Sequence, residues 1–179
     1  MAARDIAREL LGKLDFEAGE IPMGELVYTA ESRDYCAGNR CRSYGATWAC
    51  PPAVGSLEQC RAQCEAYAHF FLFARRYELE DSLDIEGMGD AHDDFQERVE
   101  QLGDELRAAG LTDFLLLNNE GCTRCDECTY PDAPCRFPEK LYPSIEGYGF
   151  LVSALARQAG IPYAGKPTEL RYFGAILVK

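Results

Sequence analysis

Four closely spaced cysteines constrain this chain more than any other feature. They are Cys122, Cys125, Cys128 and Cys135, in a C-x2-C-x2-C-x6-C run that is followed by Pro138. Thiolates at three-residue steps wrap around one small inorganic group, because a tight turn carries successive sulfurs to adjacent corners of it. The run therefore predicts a metal site, most simply an iron–sulfur site, around which this part of the chain has to fold.

The same run resembles the cluster-binding segment of bacterial ferredoxins. Those proteins hold [4Fe–4S] clusters with C-x2-C-x2-C and a fourth cysteine followed by proline. In this chain the last spacer is longer, and Arg136 and Phe137 stand between Cys135 and Pro138. The resemblance implies a [4Fe–4S] cluster, and the altered spacer leaves open which cluster Cys135 serves.

A second group of cysteines comes earlier in the chain. Cys36, Cys41 and Cys50 form C-x4-C-x8-C, and Pro51 follows the last of them directly, as proline often follows a cluster cysteine. Trp48 is expected to shield this group from water. Three cysteines are one short of a closed set of four ligands, so the chain is expected to hold one or two clusters.

The missing fourth ligand has several candidates. Cys60 or Cys64 is the nearest in sequence, but both fall on an apolar helical stripe where cysteine acts as a small hydrophobic residue, so core packing is the simpler expectation. Cys135 crossing over from the other group is a second alternative. A third is that no fourth cysteine binds, which leaves one iron open to a substrate.

Length and cysteine content indicate a single reduced domain. A chain of 179 residues is long enough for one domain, residues 1–179, with its own core. The first 14 residues read as an amphipathic helix rather than a signal peptide, and nine cysteines is an odd number for a disulfide framework. We therefore expect a cytoplasmic protein with free or metal-bound thiols. No apolar stretch approaches the ~20 residues of a membrane span.

The charge distribution excludes one class of partner and suggests another. A net charge of −12 without a basic stripe argues against nucleic-acid binding. Acidic residues are concentrated from Glu78 to Glu105, where Arg98 is the only Lys or Arg. A solvated face is the simplest interpretation, and the alternative is a docking surface for a basic redox partner protein. The oligomeric state is left open.

Hydrophobic patterning predicts an α/β fold. We predict helices at 1–14, 56–67, 95–106 and 144–159, and strands at 25–30, 68–74, 114–117 and 172–178. The strands from residue 68 onward are solidly apolar, which is typical of parallel strands buried on both faces. This predicts a single-domain α/β protein with a small, mostly parallel or mixed sheet flanked by helices. Both cysteine loops are expected at one end of that sheet.

The two cysteine groups together resemble a known family. Arg42-Ser-Tyr-Gly-Ala-Thr-Trp-Ala-Cys-Pro-Pro52 and Pro134-Cys-Arg-Phe-Pro138 are similar to segments of a cysteine-rich prokaryotic family described only as predicted metal-binding proteins of unknown function. The similarity runs from about Tyr35 to Gly149. It implies family positions at Cys36, Cys41, Cys50, Pro51, Pro52, Cys122, Cys125, Cys128, Cys135, Arg136, Pro138, Ser144 and Glu146. It also implies metal binding in a bacterial or archaeal cytoplasm, but it supplies no reaction.

Three functions are consistent with these residues. The first is an iron–sulfur redox protein that carries electrons, or delivers them to a partner enzyme or cofactor, through one or two [4Fe–4S] clusters. The second is a structural zinc protein, since closed sites of four thiolates suit Zn²⁺. The third is a reductive or desulfurising enzyme with a three-cysteine cluster. The sequence leaves open whether the protein is an enzyme.

Overall fold

The computed structural model describes residues 1–179 and contains a four-stranded sheet with helices on both faces. The helices are α1 (Ala3–Lys13), α2 (Ala30–Ala37), α3 (Leu57–Glu65), α4 (Ile85–Ala108) and α5 (Val152–Ala159). The strands are β1 (Glu17–Ile21), β2 (His69–Glu78), β3 (Phe114–Leu117) and β4 (Glu169–Val178). The predicted α/β class with a helix-flanked sheet is confirmed. None of the helices is both long enough and apolar enough to span a membrane.

The sheet is antiparallel throughout. Its strand order is β1-β2-β4-β3, and each of the three neighbouring pairs is antiparallel. The prediction of a mostly parallel or mixed sheet is therefore wrong in strand direction. The last strand, β4, lies between β2 and β3 and runs opposite to both. As a result β2 and β3 point in the same direction without pairing with each other.

Burial on both faces explains why the strands are so apolar. Phe70 and Leu72 belong to a core with α3 and α5, whereas Phe71 and Phe73 belong to a second core with α1 and α4. A strand covered on both sides reads as a continuous apolar run. Helices on both faces produce that pattern here although the strands are antiparallel.

Several predicted elements are confirmed and one is longer than expected. The helix predicted from Ser56 is α3, and it begins with a capping box formed by Ser56 and Gln59. The strand at 114–117 is β3. The helix predicted at 95–106 is α4, but it begins at Ile85, where the Asp84 carboxylate accepts a hydrogen bond from the Gly87 N–H at 2.8 Å.

One predicted element is wrong, and another is correct only in its second half. Residues 25–30 form no strand: a 3-10 turn, Met23–Glu25, is followed by α2, whose cap is Thr29. The helix predicted at 144–159 begins only at Val152, as α5, and it ends at Gly160 as predicted. Its first half is instead a 3-10 turn, Glu146–Tyr148, that ends at Gly149 with φ +92°. Ser144 instead forms a parallel β-bridge with Asn118, just after β3.

Candidate metal centre

The four cysteines of the C-x2-C-x2-C-x6-C run line one small cavity. Cys122, Cys125, Cys128 and Cys135 share it with two aromatic residues, Trp48 and Phe137, and with three cations, Arg124, Arg136 and Lys140. The backbone N–H of Phe137 donates a hydrogen bond to Cys135 Sγ at 3.4 Å. Aromatic rings exclude water, and cations and N–H donors stabilise thiolates. The lining therefore suits a thiolate-bound, anionic group.

Arg124 is the cation most firmly held at this cavity. Its guanidinium pairs with the Glu100 carboxylate at 2.8 Å and lies 5.6 Å from the centre of the Phe137 ring. Burial raises the pKa of the Cys122 thiol, and the backbone N–H and charge of Arg124 oppose that rise. The arginine thus favours the thiolate form that a metal requires.

The other three predicted ligands line a separate cavity of about 440 Å³. Cys36 lies on α2 and is half-buried, Cys41 is exposed, and Cys50 is buried. Burial raises the pKa of Cys36 to about 11, and the negative charge of Glu146 adds to that rise. Cys36 is therefore protonated at neutral pH in the absence of a metal, and a metal that binds there has to displace that proton.

Hydroxyl groups support Cys50 within this cavity. Burial raises the pKa of the Cys50 thiol, whereas the hydroxyls of Thr47 and Ser144 beside it lower that pKa. Ser144 also accepts a hydrogen bond from the Gly147 N–H at 3.2 Å. The family position at Ser144 therefore contacts a predicted ligand.

Three carboxylates also line the cavity at Cys36, Cys41 and Cys50. They are Asp34, Glu120 and Glu146. Burial raises the pKa of Glu146 to about 7, and the charge of Glu120 adds to the rise. The only hydrogen bond that opposes it comes from the backbone N–H of Glu146 itself. The carboxyl group of Glu146 thus faces the cysteine cavity without a cation beside it.

Cys60 and Cys64 lie elsewhere, in the hydrophobic core. Both side chains on α3 have 0 % exposure, and neither lines a cysteine cavity. Arg33 Nη2 donates a hydrogen bond to Cys60 Sγ at 3.2 Å, and the Val54 carbonyl oxygen lies 3.4 Å from the same sulfur. These contacts agree with the core-packing interpretation of the two cysteines.

The two cavities are adjacent. Cys50 Sγ lies 3.8 Å from the Glu120 carbonyl oxygen, and a Cβ on Gly121 would lie 3.7 Å from that sulfur. Backbone hydrogen bonds of 2.8 Å from Ser144 to Ala49 and from Ile145 to Asn118 hold the segments together. The residue after Gly121 is Cys122, so only a short piece of backbone separates the two cysteine groups.

Trp48 lines the cavity of Cys122–Cys135, not the predicted cavity of Cys36, Cys41 and Cys50. It was expected to shield the latter three cysteines from water. Its indole N–H donates to the Ala133 carbonyl oxygen, and its ring meets the Tyr130 ring edge-on with centroids 4.9 Å apart. The loop that carries the first cysteine group thus forms part of the wall of the second site.

Sequence reasoning missed a supporting stripe on α4, which we call the polar stripe: His92, Gln96 and Glu100. His92 Nε2 lies 3.6 Å from Glu120 Oε2, and Gln96 Nε2 donates a hydrogen bond to Asn119 Oδ1 at 2.9 Å. The Glu100 carboxylate forms ion pairs with Arg124 at 2.8 Å and with Lys140 at 3.0 Å. The four-residue spacing of the polar stripe, beside the apolar face of Phe95 and Val99, was the available signal. Through these contacts the polar stripe holds the segment that leads from β3 into the cysteine run.

The predicted ligands line cavities rather than meet at a point. Nowhere in the chain do three His, Cys, Asp or Glu side chains converge closely enough to hold one metal ion. In a cluster each iron takes its own thiolate, so the ligands of a cluster surround a volume. A cavity lined by four cysteines fits that donor set, and thiolates suit both iron–sulfur clusters and zinc.

Comparison with known proteins places the chain in a family. Residues 19–178 match the family described as Predicted metal-binding protein (DUF2284). The match includes all seven cysteines that line the two cavities. No curated protein and no solved structure matches the chain. On the extent of the family match, this chain belongs to the family of predicted metal-binding proteins.

Proposed function

We propose that this protein binds iron–sulfur clusters and transfers electrons. The observation that carries the proposal is the single cavity lined by Cys122, Cys125, Cys128 and Cys135 together with three cations. Four thiolates around one enclosed volume are the ligand set of a [4Fe–4S] cluster, and nearby cations stabilise the reduced, more negative state. When bound, such a cluster supplies one-electron chemistry.

The contact between the two cysteine groups supports a second cluster at Cys36, Cys41 and Cys50. The 3.8 Å approach of Cys50 to the Glu120 carbonyl brings the two sites within a few bonds of each other. Two clusters this close would exchange electrons readily. Electrons would enter at the first group, where Cys41 is exposed, and pass to the Cys122–Cys135 site beside Trp48. The opposite direction is equally consistent with this arrangement.

A reductive or desulfurising enzyme is the second candidate. It is favoured by the 440 Å³ cavity beside a group of only three cysteines, one of which is exposed. The core positions of Cys60 and Cys64 support a site without a fourth cysteine. A small substrate would then bind at the iron that lacks a thiolate.

The proposed partner is a basic redox protein that docks on α4. Part of the acidity there is already neutralised, because Lys140 pairs with Glu100 and Asp104, and Lys13 pairs with Glu105. The remaining charge would attract a basic partner over a distance set by ionic strength. Electron transfer to such a partner should slow as salt is added.

The decisive measurement is iron, zinc and acid-labile sulfide per chain on anaerobically purified protein, with its visible spectrum. About eight irons and eight sulfides mean two [4Fe–4S] clusters, and about four mean one. Zinc without sulfide would overturn the proposal and indicate a structural zinc protein.

A matched pair of variants locates the clusters. Cys125→Ser removes a proposed ligand, so the protein should lose about four irons. Cys60→Ala removes a core thiol of α3 and should retain its full iron content. If Cys60→Ala also lost a cluster, the proposed ligand set would be wrong.

A further inference from the structure

We infer that Glu146 is the fourth protein donor of the site at Cys36, Cys41 and Cys50, where its carboxylate binds the iron that no cysteine reaches. The inference rests on the proposed function, which places a cluster at these three cysteines. It assigns the open corner of that cluster to a residue of this chain rather than to a substrate or to a fourth cysteine.

The position of Glu146 is tied to the cysteines by the backbone. Glu146 is the first residue of the 3-10 turn and lines the same cavity as the three cysteines. Two residues before it, the Ser144 N–H donates to the carbonyl oxygen of Ala49, which directly precedes Cys50, at 2.8 Å. A Cβ on Gly147 would collide with the Ser144 hydroxyl and approach the Pro51 ring to 3.1 Å. The turn therefore packs directly on the segment that carries Cys50.

Apart from its own backbone N–H, the carboxylate of Glu146 has no partner within the chain. It takes part in no ion pair, and Arg40, the cation that lines the cavity, does not reach it. A carboxylate enclosed by protein is costly unless it is paired, hydrogen-bonded or bound to a metal.

Four other side chains are candidate donors, and a fifth, Asp34, lines the same cavity but is exposed on α2. Cys60 and Cys64 lie in the core, and Cys135 lines the neighbouring cavity. Glu120 lines the cavity of Cys36, Cys41 and Cys50 too, but its side chain is 54 % exposed and its carboxylate lies 3.6 Å from His92. Glu120 is therefore the matched control for Glu146.

A carboxylate donor makes one iron chemically distinct. Oxygen ligands hold iron of a sulfide cluster less firmly than thiolates do, so this iron leaves first on mild oxidation. If the proposed [4Fe–4S]²⁺ cluster is bound, transfer of one electron from it to ferricyanide would release one Fe²⁺ and leave [3Fe–4S]⁺. Removal of the carboxylate should make that loss faster.

The test compares Glu146→Gln, Glu146→Ala and Glu120→Gln with the unaltered protein, all reconstituted anaerobically. Each protein is titrated with ferricyanide, and released iron and the electron paramagnetic resonance signal of the three-iron cluster are followed over time. We expect both Glu146 variants to release about one iron per chain about tenfold faster or more, and Glu120→Gln to match the unaltered protein. Circular dichroism checks that each variant is folded.

Three outcomes overturn the inference. Equal rates for all four proteins would show that Glu146 is not a ligand, and acceleration only in Glu120→Gln would assign the role to Glu120. Finding iron only at the Cys122–Cys135 group would also overturn the inference, because Glu146 would then have no cluster to bind. Unaltered protein without iron and sulfide would instead refute the proposed function itself, so the two failures are distinguishable.

Discussion

The indole N–H of Trp48 donates a hydrogen bond to the carbonyl oxygen of Ala133 across 3.0 Å. Trp48 precedes Cys50 by two residues, and Ala133 precedes Cys135 by two residues. One hydrogen bond therefore joins the loops of the two cysteine groups. The Tyr130 ring packs against the same indole, so the first loop closes the second cavity.

Trp48→Phe should weaken this closure. The substitution keeps an aromatic ring but removes the donor, which leaves the Ala133 carbonyl unpaired and costs about 1 kcal/mol in free energy of unfolding. We expect the proposed cluster at Cys122–Cys135 to bleach several-fold faster in air. The decay of visible absorption measures it, and an unchanged decay would mean that the loop is held closed by other contacts.

Glu100→Gln should alter the electrostatics of the same site. Glu100 pairs with both Arg124 and Lys140, so its neutralisation leaves Arg124 without an ion pair and leaves Lys140 paired with Asp104 alone. We expect a higher reduction potential and a loss of about 1 kcal/mol in stability. Redox titration and urea unfolding measure the two effects.

Glu97→Gln is the control for that experiment. Glu97 is on α4 as well and forms no ion pair with either cation. The two substitutions remove the same charge from the same helix. Equal shifts in potential for both would show that the pairing with Arg124 and Lys140 is irrelevant.

Gly121→Ala should disturb the contact between the two loops. A Cβ at this position would collide with the hydroxyl of Ser43, because the two loops pack closely there. We expect a loss of about 1–3 kcal/mol in free energy of unfolding, which a second substitution, Ser43→Gly, should largely restore. Thermal or urea unfolding of the single and double variants gives the comparison.

Gly89→Ala serves as the reference substitution. Gly89 lies inside α4 with no atom within 4 Å of a new Cβ. Alanine in a helix interior should stabilise the protein by about 0.5–1 kcal/mol. A similar loss of stability in both glycine variants would rule out the loop contact as the cause.

Glu146 should make the metal-free protein less stable as the pH rises. The folded protein raises the pKa of this carboxyl from 4.5 to about 7, so the folded state binds the proton more tightly than the unfolded state does. The resulting stabilisation is present below pH 4.5 and is lost as the pH rises through 7, a change of up to about 3 kcal/mol. Glu146→Gln stays neutral and should lack this component.

Urea unfolding of metal-free, reduced protein at pH 5 and pH 8 measures the difference. Between pH 5 and pH 8, the free energy of unfolding of Glu146→Gln should rise relative to that of the unaltered protein. A gap that does not change with pH would contradict the environment described for Glu146.

Local signals predicted the elements whose causes are local. The capping box of Ser56 and Gln59 marked the start of α3, and the apolar run Phe114–Leu117 marked β3. By contrast, β1 was missed because Ile21 is its only buried residue and the strand forms by pairing with the edge of β2. The early start of α4 was missed because Asp84 caps a segment that contains two glycines.

Sequence alone separated Cys36, Cys41 and Cys50 from Cys122, Cys125 and Cys128, because short spacings limit which thiols share one cavity. It left the place of Cys135 open, and the tertiary structure puts Cys135 in the cavity of Cys122, Cys125 and Cys128. The tertiary structure decided the antiparallel sheet, since strand direction depends on how β4 enters between β2 and β3. It also decided the adjacency of Cys50 with Glu120 and Gly121, the closure of the second site by Trp48, and the support from α4. These contacts join residues far apart in the chain, and only the path of the folded backbone brings such residues together.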